Sequence, residues 1–216
     1  MSKRILTELG RHAPFTFSGA LTGVLIMLVI VFGNLLPKVS LISENVFYVL
    51  HPTHVVLSAL VTTAMYMRYK RAKIWLAVLI GYTGSVGIAT LSDSVIPYIG
   101  ETLLDLPYRG IHIGFIERWW LVNPAALLGV LIGYREWITK FPHYGHVLIS
   151  TWASLFHVIM ALGGAINWVD IITTLLFLFL AVWTPCCLSD IVYPLLFVKK
   201  PAALSLQEQS SAASKP

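Results

Sequence analysis

The chain has 216 residues, of which 57% are apolar and 12% charged, and a mean hydropathy of +0.78. That leaves too little polar surface for a soluble globule and no length for a separate soluble domain, so the composition is that of an integral membrane protein whose first partner is the lipid bilayer. The formal net charge of +5 would suggest nucleic acid in a soluble protein, but here Lys and Arg lie at the ends of apolar runs, and membrane topology explains them with no nucleic-acid partner.

Six apolar runs predict membrane helices over residues 15–36, 47–67, 74–99, 120–134, 146–165 and 171–198. A spanning helix needs about 20 mainly apolar residues, and no strand-like alternation is present, so the fold class is an all-α polytopic bundle. The first run follows a basic segment, residues 1–14, but it is longer than a secretory leader's apolar core and lacks a small-x-small cleavage site, so it reads as a retained helix. The fourth run is short and is expected to be tilted, partly re-entrant or extended backwards; Asn123-Pro124 reads as its helix start.

Lys3, Arg4 and Arg11 precede the first run, Arg68, Lys70, Arg71 and Lys73 follow the second, Arg135 and Lys140 follow the fourth, and Lys199 and Lys200 follow the last. In a six-span model all of these share one side, which places both termini in the cytoplasm of a cell whose cytoplasmic membrane holds the protein. Residues 100–118 then form an extracytoplasmic amphipathic connection carrying Glu101, Asp105, Arg109, His112 and Glu117, and residues 201–216, rich in Ser, Ala and Gln, read as a disordered cytoplasmic tail.

Two polar signatures occur twice in the same order. His51-Pro52-Thr53-His54, followed by Ser58, is answered by His143-Tyr144-Gly145-His146, followed by Ser150. Leu91-Ser92-Asp93-Ser94-Val95-Ile96-Pro97 is answered by Leu188-Ser189-Asp190-Ile191-Val192-Tyr193-Pro194. The chain therefore reads as two three-helix repeats, residues 15–99 and 119–200, and an odd number of spans per repeat makes the halves inverted. The proline after each Asp predicts an interrupted helix with carbonyls freed beside a carboxylate.

Ionisable groups within membrane helices are costly, so the duplicated His and Asp residues are the candidate site. His51, His54, His143 and His146 at helical spacing, with Asp93 and Asp190, offer a mixed nitrogen and oxygen shell for a divalent ion such as Zn, Mn, Fe or Cu. One set, His51, His54 and Asp93, is expected in the outer half and the other, His143, His146 and Asp190, in the inner half. Ser58 and Ser150 continue these polar stripes, Cys186 and Cys187 add soft thiolate donors, and His157 has no counterpart in the first repeat. The structural alternative for these residues is helix capping, snorkelling and helix-helix hydrogen bonding.

The leading expectation is a small secondary transporter or facilitator for a cationic substrate, a divalent transition-metal ion, acting as a monomer or a homo-oligomer. Its architecture resembles that of small cation exporters built from two inverted three-helix units, although the acidic signature sequences of those families are absent. The alternative is a membrane-embedded zinc hydrolase or lipid-modifying enzyme. Haem or quinone binding by paired histidines is a third reading, and a purely structural assembly protein a fourth. No Walker motif, nucleophile elbow or His-Glu-x-x-His sequence occurs, so transport would draw on a gradient.

Overall fold

The computed structural model describes residues 2–69, 73–135, 140–162, 167–187 and 192–197; the side chains of residues 2–9, 11, 12, 69, 140–144, 187 and 195 fall outside that description. All regular structure among the described residues is helical: α1 (Ser2–Phe32), α2 (Leu36–Tyr69), α3 (Ile74–Thr90), α4 (Ile96–Leu103), α5 (Gly114–Glu117), α6 (Trp119–Arg135), α7 (Lys140–Ala161), α8 (Trp168–Cys187) and α9 (Tyr193–Leu196). Among the described residues four stretches are long and apolar enough to cross a bilayer: Ala13–Phe32, Leu36–Arg68, Ile74–Leu103 and Trp168–Cys186. The apolar part of α7, Gly145–Ala161, is shorter, and the 17 residues of α6 reach only about 25 Å.

Several boundaries differ from the sequence reading for local reasons. Helix α2 begins eleven residues before the apolar run at 47, because its polar side chains are satisfied without leaving the helix. Ser43 Oγ donates to the Val39 carbonyl at 2.7 Å, and Glu44 pairs with Arg118. Asn34 ends α1 with φ of 53°, while the Leu35 N–H returns to the Ile30 carbonyl at 2.8 Å. That is a left-handed helix stop of the kind asparagine tolerates. Pro124 lies inside α6 rather than at its start, which falls at Trp119.

Helix α2 is the central post, packed on α3, α6 and α7, while α1 packs on α7 and α8. Gly129 and Gly133 set the α2–α6 contact: a Cβ on either would run into the backbone carbonyls of Val56 and Leu60 respectively. This small-xxx-small pattern gains close van der Waals packing where lipid supplies no hydrophobic drive between helices. Ala20, Val24 and Met27 of α1 bury against Leu155 and Ile159 of α7 and Leu178 of α8. Leu21, Leu25 and Val29 of α1, Leu128 and Leu131 of α6, and Ile172 and Leu176 of α8 are exposed, an outer surface suited to acyl chains.

Between α3 and α4 the chain makes one π-helical turn, Leu91–Val95, instead of the expected break. Proline 97 explains the form. It carries no N–H, and in the widened i→i+5 register, which Ile96 N–H follows by reaching the Leu91 carbonyl, residue 97 would have served the Ser92 carbonyl. Ser154 Oγ of α7 donates to that Ser92 carbonyl instead, at 2.9 Å. The helix thus stays wound, and the orphaned acceptor becomes a contact between α7 and the turn that carries Asp93. The corresponding expectation around Asp190, and the tail at 201–216, lie outside the described residues.

Candidate metal centre

The π-turn aims Asp93 into the space between α2, α7 and α8, where it is fully buried. Its Oδ2 lies 2.9 Å from His51 Nδ1 and 2.7 Å from His54 Nδ1. Its Oδ1 accepts from Ser92 Oγ at 2.6 Å and Ser150 Oγ at 2.8 Å. An ionised carboxylate has about four acceptor sites and no donor, so four partners fill it and both histidines carry their proton on Nδ1. The nitrogen of His54 left for another partner is Nε2.

His54 stacks on His146 of α7, with ring centroids 5.6 Å apart. Donor atoms of His54, His146 and Cys186 all lie within 4.8 Å of one another, and all three residues are buried. A tetrahedral zinc-like ion with bonds of about 2.0–2.3 Å needs donor spacings of roughly 3.3–3.6 Å, a contraction that side-chain adjustment supplies. Three donors leave the fourth position open. Cys186 Sγ also lies 4.0 Å from Ser150 Oγ, which ties the thiol to the hydroxyl already bound to Asp93.

If Cys186 gave up its proton to a bound ion, its thiolate and the carboxylate of Asp93 would sum to −2, a charge that a 2+ ion would cancel within a pocket where uncompensated charge is expensive. The donor set fits such an ion: imidazole nitrogen and thiolate suit zinc and its neighbours rather than magnesium or calcium. A carboxylate behind a ligand imidazole fixes its tautomer and ring orientation and raises its basicity.

The duplicated residues meet this geometry unevenly. His54 and His146, equivalent positions in the duplicated motif, stand together beside Cys186, where one ion could meet both, and not in separate outer and inner sets. Asp93 stands behind the histidines. His51 shares Asp93 and is fully buried, while its Nε2 has no hydrogen-bond partner among the described residues. Ser150 is a direct partner of Asp93, and Ser58 is buried one helical turn beyond His54. The side chains of His143 and Cys187, and Asp190 altogether, lie outside the described residues.

A second polar cluster lies toward the α4–α6 connection. Glu101, at the end of α4, is buried and binds His157 Nδ1 at 2.6 Å, so His157 has a partner that no repeat pattern indicates. Glu117 accepts from the Tyr48 hydroxyl, from Ile113 N–H at 3.1 Å and from His112 Nδ1 at 3.3 Å. Burial opposes the Glu117 charge, but these three donors outweigh it and hold the carboxyl below its ordinary range. Gly114 seats α5 directly on the inner cluster, since a Cβ there would stand 2.7 Å from the His51 ring. Comparison of the chain with protein-family models, with curated proteins and with solved structures finds no match.

Proposed function

We propose that this chain moves a divalent transition-metal cation across a membrane, with His54, His146 and Cys186 as its ligands and Asp93 as the group that orients His54. The observation that carries the reading is the convergence of those three donors within 4.8 Å in the interior of a bundle that includes four membrane-length stretches among the described residues. Buried ionisable groups in such helices mark ion pathways and relays more often than packing. The π-turn at Leu91–Val95 supports the same reading, since single π-turns inside helices gather at functional sites.

The topology proposed with it has six spans in two inverted halves, both termini cytoplasmic, with α6 and α7 as the shorter spans. One centre shared by His54 of the first half and His146 of the second is what a binding site between inverted repeats requires. Single cysteines at positions 70 and 170, in a chain with Cys186 and Cys187 changed to serine, are expected to label from opposite sides of the membrane; labelling from one side would remove the inverted topology.

A hydrolytic metalloenzyme is the second reading, and the open fourth position of a three-donor centre favours it. Two measurements separate the readings. Elemental analysis of purified protein is expected to find bound metal in the wild type and, in His54→Ala, His146→Ala or Cys186→Ser, the loss of the equivalent held at this centre. Proteoliposomes carrying the wild type are expected to admit Zn²⁺ or Co²⁺ under a gradient, with the same variants inactive. Stoichiometric metal without flux would overturn transport in favour of the enzyme.

A further inference from the structure

Beyond the inner centre, the outer polar cluster contains two carboxylate–histidine pairs side by side. Glu101 holds His157 Nδ1 at 2.6 Å, Glu117 holds His112 Nδ1 at 3.3 Å, and the two imidazole centroids are 5.3 Å apart. In each pair the carboxylate occupies Nδ1 and leaves Nε2 to act as the lone-pair nitrogen. His157 Nε2 is sealed from solvent and has no hydrogen-bond partner among the described residues. A neutral imidazole buried with an unused acceptor nitrogen is poorly compensated by packing alone. Its neighbour His112 is 30% exposed, so the cluster opens to the outside through that ring.

We propose that His157 and His112, backed by Glu101 and Glu117, form a second cation-binding site that takes a divalent transition-metal ion. Two imidazole nitrogens select zinc, cobalt, nickel or copper over magnesium and calcium, and the two carboxylates match the ion's charge. Phe47 separates this site from the inner one. Its buried ring stacks on His51 at 5.2 Å, meets His157 edge-on at 5.4 Å and lies 6.3 Å from His112. An ion passing from one cluster to the other would have to displace that ring, which makes Phe47 the barrier between two stations. The role as an entry station rests on the transport reading; occupancy of the site does not.

Cobalt titration of the full-length, tag-free chain in detergent tests the site, because Co²⁺ bound to a thiolate gives a near-ultraviolet charge-transfer band and Co²⁺ bound only to imidazole and carboxylate does not. Wild type is expected to bind two equivalents by equilibrium dialysis, one with the band. Glu101→Gln with His157→Gln, which keeps a hydrogen bond between the two positions, is expected to retain the band and lose one equivalent. Cys186→Ser with Cys187→Ser and His54→Gln is expected to lose the band and keep one. The substitution His112→Gln, at a partly exposed ring where it disturbs little packing, is expected to weaken the bandless equivalent at least tenfold and leave the other unchanged. A single equivalent carrying the band in wild type, or two undiminished equivalents in both outer-site variants, overturns this proposal and leaves the inner centre standing. One bandless equivalent, lost on Glu101→Gln with His157→Gln, would remove the inner centre and keep the outer site. No binding in wild type removes both.

Discussion

Asp93 and Glu101 are both buried carboxylates that hold a histidine Nδ1, yet their surroundings differ in a way that assigns them different work. Asp93 has four side-chain partners, two imidazoles and two hydroxyls, drawn from α2, α7 and its own turn. Glu101 has one imidazole on Oε1 and, on Oε2, only the Gly110 N–H at 3.3 Å among the described residues. A saturated carboxylate positions its neighbours and has no lone pair to spare for an ion. One with a weakly used oxygen keeps that oxygen free to join a shell. The inner cluster is thus preorganised by α2, α7 and the π-turn, whereas the outer cluster depends on a connection anchored by a few contacts, such as Tyr108 N–H on the Ala161 carbonyl at 3.2 Å.

The largest expected effect comes from removing that saturation. Asp93→Asn keeps one acceptor oxygen and turns an amide N–H₂ toward imidazole donors, so it breaks a buried charged network, at a cost of about 3–5 kcal/mol in thermal unfolding in detergent. Metal affinity at the thiolate centre is expected to fall about 10–100-fold through misorientation of His54. Glu101→Gln replaces fewer bonds, one short and one long, and is expected to cost about 1–3 kcal/mol. Equal losses for the two variants would break the distinction between a saturated and an unsaturated carboxylate.

Gly114→Ala addresses the junction of the two clusters. The added methyl group meets the His51 ring, so α5 must lift or His51 must turn, with an expected cost of about 1–3 kcal/mol. If α5 lifts, hydrogen exchange should quicken across residues 104–118 while the inner cobalt band persists; loss of the band would mean that His51 moved and carried Asp93 with it. Ser154→Ala is gentler. It leaves the Ser92 carbonyl without its donor, expected to cost about 0.5–1.5 kcal/mol and to weaken the inner centre while the outer equivalent is unchanged.

Much of the inner centre was legible in the sequence because helical spacing and the duplicated motif select for it. His51 and His54 lie one turn apart, and Asp93 stands in a motif whose proline forces an irregular turn; the chain then folds these onto one another. What spacing does not encode is which helices meet. That His54 and His146 share a centre depends on α2 and α7 packing together, and the assignment of Cys186 to it depends on the rotation of α8. In the sequence Glu101 belongs to a surface connection, since nothing local distinguishes a buried Glu at a helix end from an exposed one. Its partner His157 is 56 residues away, on a helix that makes contact only in the assembled bundle. The long α2 was missed at its N-terminal end for a related reason: Lys38, Ser40 and Glu44 interrupt the apolar run, and only the fold shows that Ser43 bonds its own helix and Glu44 meets Arg118.

The smallest expected effect is the pH dependence of the outer cluster, and it separates this cluster from the inner one without touching a metal. Glu117 has a carboxyl held below its ordinary value, so the folded state binds its proton less readily than the unfolded chain does. The stabilisation is therefore fully present above the unfolded value of about 4.3 and is lost as the pH falls through the lower folded value. The Tyr48 and Ile113 donors that hold the charge are removed in value, though not in position, by Glu117→Gln. The melting temperature of wild type should exceed that of Glu117→Gln at about pH 5, and the margin should shrink below about pH 4. A margin that grows on acidification would reverse the sign of the linkage. It would mean that the proton, not the charge, is what Tyr48, Ile113 and His112 stabilise, and the outer cluster would then lack one of the two anions that its cation requires.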